Sequence, residues 1–243
     1  MKRLTKDSWL FKQALAHRGF HNEQLPENSI GAFYNAINRE YAIELDVHII
    51  SDGHIIVFHD SDVKRMTGME QKTANLTLED IGTLKLANTD YHIPLLDEVL
   101  EMVDGKVPLL IELKNSHKVG LLEEALVQRL ARYNGEFMLQ SFNPLRVKWL
   151  KKHTPSIIRG QISGLYENSQ LKSYQKFILK YMFFNFLSKP DFINYQIEGL
   201  KSWRVRLLQR RGMPVISWTA GDKDQYALAL SLCDNAVFEG FEL

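Results

Sequence analysis

Eight short apolar runs rich in β-branched and aromatic residues recur along the chain: residues 14–17, 42–50, 108–113, 136–142, 156–162, 191–196, 214–219 and 235–240. Most are separated by segments with helical spacing. Ile30, Phe33, Tyr34 and Ile37 form one such set, as do Leu121, Leu122, Ala125, Leu126 and Leu130, and later Trp203, Val205, Leu207 and Leu208. Strand alternating with helix eight times over is the pattern of an α/β chain that closes its parallel strands into a (β/α)8 TIM barrel. At 243 residues the chain has the length of one such barrel, and no Pro-, Gly- or Ser-rich linker divides it. A single domain, 1–243, is therefore expected.

The rhythm breaks once, over residues 51–95. This stretch follows the second strand and opens with the turn Ser51-Asp52-Gly53 and a further apolar run, residues 54–60, which reads as a hairpin return. It is expected to be a small insertion over the barrel mouth, because function in such barrels gathers on the loops after the strands.

Chemistry-bearing residues fall where those strands end. His17-Arg18-Gly19 closes the first run. On the second, Glu44 and Asp46 are two apart and share a face, with Leu45 and Val47 on the other. Glu112 sits late in the third run, and Lys114 shares its face two residues on. Like-charged carboxylates in a water-poor interior either raise a pKa or gather a cation, and hard oxygen ligands suit Mg²⁺ or Ca²⁺. Alternation fixes a shared face but not which face is buried, so salt bridges on a half-solvated strand also fit Glu44 and Asp46. His59, at the end of the hairpin run, titrates near neutral pH and can give or take a proton. Phosphodiester hydrolysis needs a base, an acid and neutralised phosphoryl oxygens, which two histidines, a metal and Arg18 or Lys114 can jointly supply.

Residues 16–60 carry, in order, His-Arg-Gly, Pro-Glu-Asn-Ser, Ala-Phe, Glu-Leu-Asp-Val, Asp-Gly and His-Asp. This succession resembles the opening of the glycerophosphodiester phosphodiesterases. The likeness continues through residues 111–114, 140–144, 191–194 and 215–219. It implies that Glu44, Asp46 and Glu112 ligate Mg²⁺ or Ca²⁺, that His17 and His59 are the general acid and base, and that Arg18 and Lys114 hold the phosphate. It further implies attack by the substrate's glycerol hydroxyl to give a cyclic phosphate that water opens, releasing sn-glycerol 3-phosphate and an alcohol. Trp218, near the end of the seventh run, is a candidate border for the glycerol or a choline-like head group, or simply core. Asn28 or Ser29 can cap the helix that begins at Ile30, with Glu27 a candidate support for the site. The last run is followed only by Phe241 to Leu243, so the usual closing helix is expected to be absent or very short, with residues 4–13 covering part of the gap.

Composition narrows the partners. Thirty basic residues against 29 acidic ones leave a net charge of +1, which calls for no nucleic acid. Cys233 is the only cysteine, so no disulfide framework is expected and a cytoplasmic setting fits. The N-terminus lacks the apolar core of a signal peptide, and residues 174–187 are too short and too interrupted to span a bilayer. The expected partner is a small glycerophosphodiester. Residues 172–187 combine Lys172, Lys176 and Lys180 with Phe177, Ile178, Tyr181, Met182, Phe184 and Phe186, a pattern shared by peripheral membrane helices and by ordinary outer barrel helices. Two other activities fit the same residues: a lysophospholipase D-like or cyclising phospholipase D-like enzyme, and a non-catalytic phosphodiester-binding scaffold.

Overall fold

The computed structural model describes residues 4–114, 117–167 and 169–243. Its strands are β1 (Leu15–Ala16), β2 (Ala42–Ile49), β3 (Ile55–Val57), β4 (Leu109–Leu113), β5 (Phe137–Ser141), β6 (Arg159–Ser163), β7 (Phe192–Gln196), β8 (Val215–Ala220) and β9 (Asn235–Phe238). All but β3 are the parallel strands of a (β/α)8 TIM barrel, and each coincides with one of the eight apolar runs. Residues gather into two compact units, Leu15–Met138 and Leu139–Leu243 with the N-terminal residues up to Ala14.

In the unit Leu15–Met138, β2 is parallel to β1 and β4 and antiparallel to β3. Every residue of β2 is buried, as befits a strand covered on both faces. That includes Glu44, Asp46 and His48, whose desolvation must be offset by partners. The register sets Asp46 beside Glu112 of β4. The helix Ile30–Ile37 starts where Ser29 Oγ accepts the Ala32 N–H at 3.2 Å, and it buries Ala32, Phe33 and Ala36. Ser29, rather than Asn28, is thus the cap. Gly19, at φ +80, is where a Cβ would meet Phe33 and the Ala32 backbone within 3.0 Å. A left-handed turn pressed this closely on a helix admits only glycine.

The inserted segment has a core of its own. Ile50, Ile56, Phe58, Val63, Met66, Leu76, Ile81, Leu86 and Ile93 bury one another, and Thr77 with Asp80 forms a capping box for the helix Leu78–Thr83. The hairpin return is present, with Val47 opposite Val57 and Ile49 opposite Ile55.

In the other unit β5 to β9 follow one another in parallel register. Gly160 of β6 is where a Cβ would collide with the Phe192 ring of β7. Leu10, in the short helix Trp9–Lys12, is buried, and the Asn235 amide of β9 donates to the carbonyls of Leu10 and Gln13, each at 2.8 Å. After β9 the described residues form no helix, and Phe241 packs on Phe238 and Tyr226 instead. The region 172–187 is not one helix. It splits into Ser173–Lys180 and Asn185–Ser188, and Met182, read from the sequence as surface, is buried in the core with Ile193 and Val205 because the chain turns inward between the two pieces.

Candidate active site

Glu44 and Asp46 of β2 meet Glu112 of β4, each buried, with ligand oxygens within 4.8 Å of one another. They are therefore not the carboxylates of a half-solvated strand. Lys114 Nζ contacts Glu112 Oε1 at 2.8 Å and Asp46 Oδ1 at 3.1 Å. The Asn28 amide donates to Asp46 Oδ2 at 2.9 Å, while its carbonyl oxygen accepts the Asp46 N–H at 3.3 Å. From the end of β1, the Arg18 N–H donates to Glu44 Oε2 at 3.2 Å and the Gly19 N–H to the Glu44 carbonyl at 3.2 Å, pinning the backbone next to His17 onto β2. Arg18 and Asn28 both have positive φ, 54° and 55°, a cost that non-glycine residues bear chiefly where position matters.

The charges are unevenly shared. Burial, together with the charges of Asp46 and Glu112, pushes the Glu44 carboxyl well above the usual carboxylate range. Burial also pushes Glu112 up, to about 7. Asp46 is equally buried, yet Lys114, His59 and Arg18 hold it well below the usual range. The Lys114 amine is raised because Asp46 and Glu112 outweigh its own desolvation. Three desolvated oxygen donors that cannot all ionise unaided are a donor set matched to a hard divalent cation.

His59 follows the hairpin, anchored by the Phe58 N–H donating to the Asp46 carbonyl at 2.9 Å. Its Nδ1 lies 2.6 Å from Asp60 Oδ1. Burial holds the imidazole below its ordinary value, with Lys114 and Arg18 working against Asp46 and Asp60. The ring is thus neutral at pH 7. Because a carboxylate only accepts, Nδ1 carries the proton and Nε2 the lone pair. Buried His48 reaches the His59 carbonyl with Nε2 at 3.2 Å, and burial pushes its ring down to about 4.

Residues 17–238 match the glycerophosphoryl diester phosphodiesterase family. The chain belongs to that family. A glycerophosphodiester phosphodiesterase of Caldanaerobacter subterraneus is 31% identical over 226 residues, covering 86% of each chain. The human lysophospholipase D is 31% identical over 137 residues, 51% of this chain and 42% of that one. Among solved structures, an Oleispira antarctica phosphodiesterase in complex with the product sn-glycerol-3-phosphate superposes with a TM-score of 0.75 at 24% identity, covering 93% and 92% of the two chains. A Thermotoga maritima glycerophosphodiester phosphodiesterase superposes at 0.71 with 23% identity, covering 93% of each. At these identities the structural likenesses speak for the fold.

Of the residues singled out from the sequence of this family member, Arg18, Glu44, Asp46, Glu112 and Lys114 share one set of contacts, and His59 stands on the strand return beside Asp46. His17 is half-buried directly after β1. Trp218 belongs to the other unit, where its indole N–H donates to the Ser163 carbonyl at 3.1 Å and its ring stands edge-on to Phe142 at 5.4 Å. Lys114 Nζ lies against Asp46 and Glu112.

Sequence reasoning passed over Arg65. Its guanidinium donates to Asp60 Oδ2 at 2.6 Å and to both Glu27 oxygens at 2.9 and 2.6 Å, and Glu27 in turn accepts from Arg18 at 2.6 Å. A continuous chain of charge-assisted bonds therefore runs from His59 through Asp60, Arg65 and Glu27 to Arg18. Asp60 and the Pro-Glu-Asn run were visible in the sequence, but nothing around Arg65 set it apart from a surface arginine.

Proposed function

We propose that this protein hydrolyses glycerophosphodiesters to sn-glycerol 3-phosphate and an alcohol with the help of a divalent ion, Mg²⁺ or Ca²⁺. The observation that carries the reading is the buried cluster of Glu44, Asp46 and Glu112 flanked by Arg18, Lys114 and a neutral, Asp60-oriented His59. Those three carboxylates would hold the ion, which supplies charge neutralisation at the phosphoryl group. Arg18 and Lys114 orient the phosphate and balance its charge. His59 Nε2 removes the proton of the attacking glycerol hydroxyl as its oxygen bonds to phosphorus. The bond from phosphorus to the departing alcohol breaks, and His17 protonates that oxygen. Water then opens the cyclic phosphate, with the two histidines exchanging roles. The reading takes residues 1–243 as one barrel domain with 51–95 inserted, supported by the family match across 17–238 and the unbroken strand–helix rhythm. A cytoplasmic setting, resting on the single cysteine, belongs to it too.

The test is release of glycerol 3-phosphate from glycerophosphocholine and glycerophosphoethanolamine by chelator-stripped protein, with Mg²⁺ or Ca²⁺ restored, beside His17→Ala and Glu44→Ala. Release is expected only with metal and only when both residues are present. Metal-independent release, or full activity in either variant, would overturn the assignment. The likeness to the human lysophospholipase D supports a second reading, in which lysophospholipid is cleaved to a lysophosphatidic or cyclic phosphate product. Silence on the water-soluble diesters with turnover of lysophospholipid would decide for it, and silence on both for a binding scaffold.

A further inference from the structure

The segment between β6 and β7, with the start of the helix Trp203–Arg210, leaves an unusual amount of aromatic surface in water. Phe186 is 70% exposed, Tyr174 61%, Trp203 60%, Phe177 56% and Phe183 44%. Three of these rings, those of Phe177, Phe183 and Trp203, gather around Tyr181 rather than scattering singly. Phe177 stacks on Phe183 at 5.6 Å and meets Tyr181 edge-on at 4.9 Å, and Tyr181 in turn lies 5.7 Å from Trp203. Contiguous apolar surface on a soluble chain marks a contact surface far more often than isolated exposed residues do.

The patch is fixed from below. The Ser163 hydroxyl donates to the Leu179 carbonyl at 2.8 Å, the Tyr195 hydroxyl to the Lys180 carbonyl at 3.0 Å, and Arg204 Nε to the Tyr181 carbonyl at 2.9 Å. Ser163 and Tyr195 stand near the carboxyl ends of β6 and β7, so the aromatic surface is held at the strand ends where a (β/α)8 barrel carries its chemistry. Around the rings the charge is mostly positive. Residues 165–189 hold four lysines and one acid, Glu167. Lys172, Lys176 and Lys180 make no ion pair among the described residues, and Lys180 Nζ and the Arg204 guanidinium each lie 5.9 Å from an aromatic centroid.

We propose that this patch docks the protein on an anionic bilayer, with Phe177, Phe183, Phe186 and Trp203 entering the interface and Lys172, Lys176 and Lys180 meeting lipid phosphates. Interfacial segments combine these two features, apolar rings for the acyl boundary and a cationic fringe for the head groups. A second copy of the chain is a poorer occupant. A two-fold contact would set the patch against itself and bring the unpaired lysines of both copies together. The inference names the partner surface for the proposed phosphodiesterase, and its binding measurement does not depend on turnover.

The experiment is sedimentation of the purified chain with phosphatidylcholine vesicles, with and without phosphatidylglycerol, at low and high salt. It compares the wild type with a Phe177→Ser, Phe186→Ser, Trp203→Ser variant and a Lys172→Gln, Lys176→Gln, Lys180→Gln variant. Hydrolysis of soluble glycerophosphocholine, or near-ultraviolet dichroism should that activity be absent, reports that each variant is folded. The wild type is expected to sediment with phosphatidylglycerol vesicles in a salt-sensitive way. Removing the rings should weaken the partition by about tenfold or more, the order expected for losing well-buried aromatic side chains. Removing the lysines should abolish the preference for anionic lipid. No binding by the wild type, or equal binding by the folded aromatic variant, would overturn the proposal. So would a concentration-dependent dimer that the aromatic variant dissolves, since the patch would then join two copies.

Discussion

Arg65 illustrates how a surface arginine becomes part of a site. It joins Asp60, which orients His59, to Glu27, which holds Arg18, and so fixes the inserted segment to the turn after β1. Burial pushes the Glu27 carboxyl up, but Arg65 and Arg18 prevail and hold it below the usual range, and Asp60 is likewise held low by Arg65 and His59. Carboxylates with depressed folded-state values contribute stability that is present above their unfolded values, near pH 4, and lost as pH falls through the folded ones. Arg65→Met should therefore be less stable than wild type in urea at neutral pH, with the gap closing in acid below about pH 3. A gap that persists in acid would show that packing rather than charge is responsible. Its kcat should fall on the order of ten- to a hundredfold, as expected when the group orienting a site residue is released.

At the scale of elements, β2 carries the heaviest demand, because all eight of its residues are buried while every second one from Glu44 to His48 is polar. The cost is offset locally by Asn28, Arg18 and Lys114. Shared facing of Glu44 and Asp46 was legible in the sequence, since alternation is a property of any strand. Burial of that face was not, since it depends on what packs against it. The pair β6–β7 shows how tightly such strands are fitted. With Gly160 seated on the Phe192 ring, Gly160→Ala should destabilise by about 1–3 kcal/mol through overpacking. Adding Phe192→Leu should recover part of this loss, and chemical denaturation of the two single variants and the double variant measures the coupling. Additive effects would mean that the ring is not what excludes the methyl group.

At the scale of the whole molecule, an ion held by Glu44, Asp46 and Glu112 should stabilise the folded chain by mass action. An ion at a hundred times its Kd contributes about 2.7 kcal/mol, which for a chain of this size is a rise of about 5–10 °C in Tm. Differential scanning fluorimetry of chelated protein with Mg²⁺ or Ca²⁺ added back should show it, and Glu44→Gln should lose most of it. An unchanged Tm with both ions would remove the cluster as a metal site.

The sequence by itself determined the strand–helix rhythm, the (β/α)8 class, the family and the identity of the paired carboxylates, because periodicity and ordered motifs are local and survive without coordinates. Helix continuity over 172–187 was misread, because periodicity cannot show that the chain turns inward to bury Met182 among residues of β7 and the following helix. Arg65 was invisible for a related reason, since its Glu27 partner is 38 residues away and only the folded insertion brings them together. Asn28 was one of two candidate helix caps beside Ser29, yet its amide spans 18 residues to hold Asp46. Only tertiary structure decided which polar groups are desolvated and which charges face them. Burial and long-range electrostatics belong to the packed chain, where residues distant in sequence share one low-dielectric space.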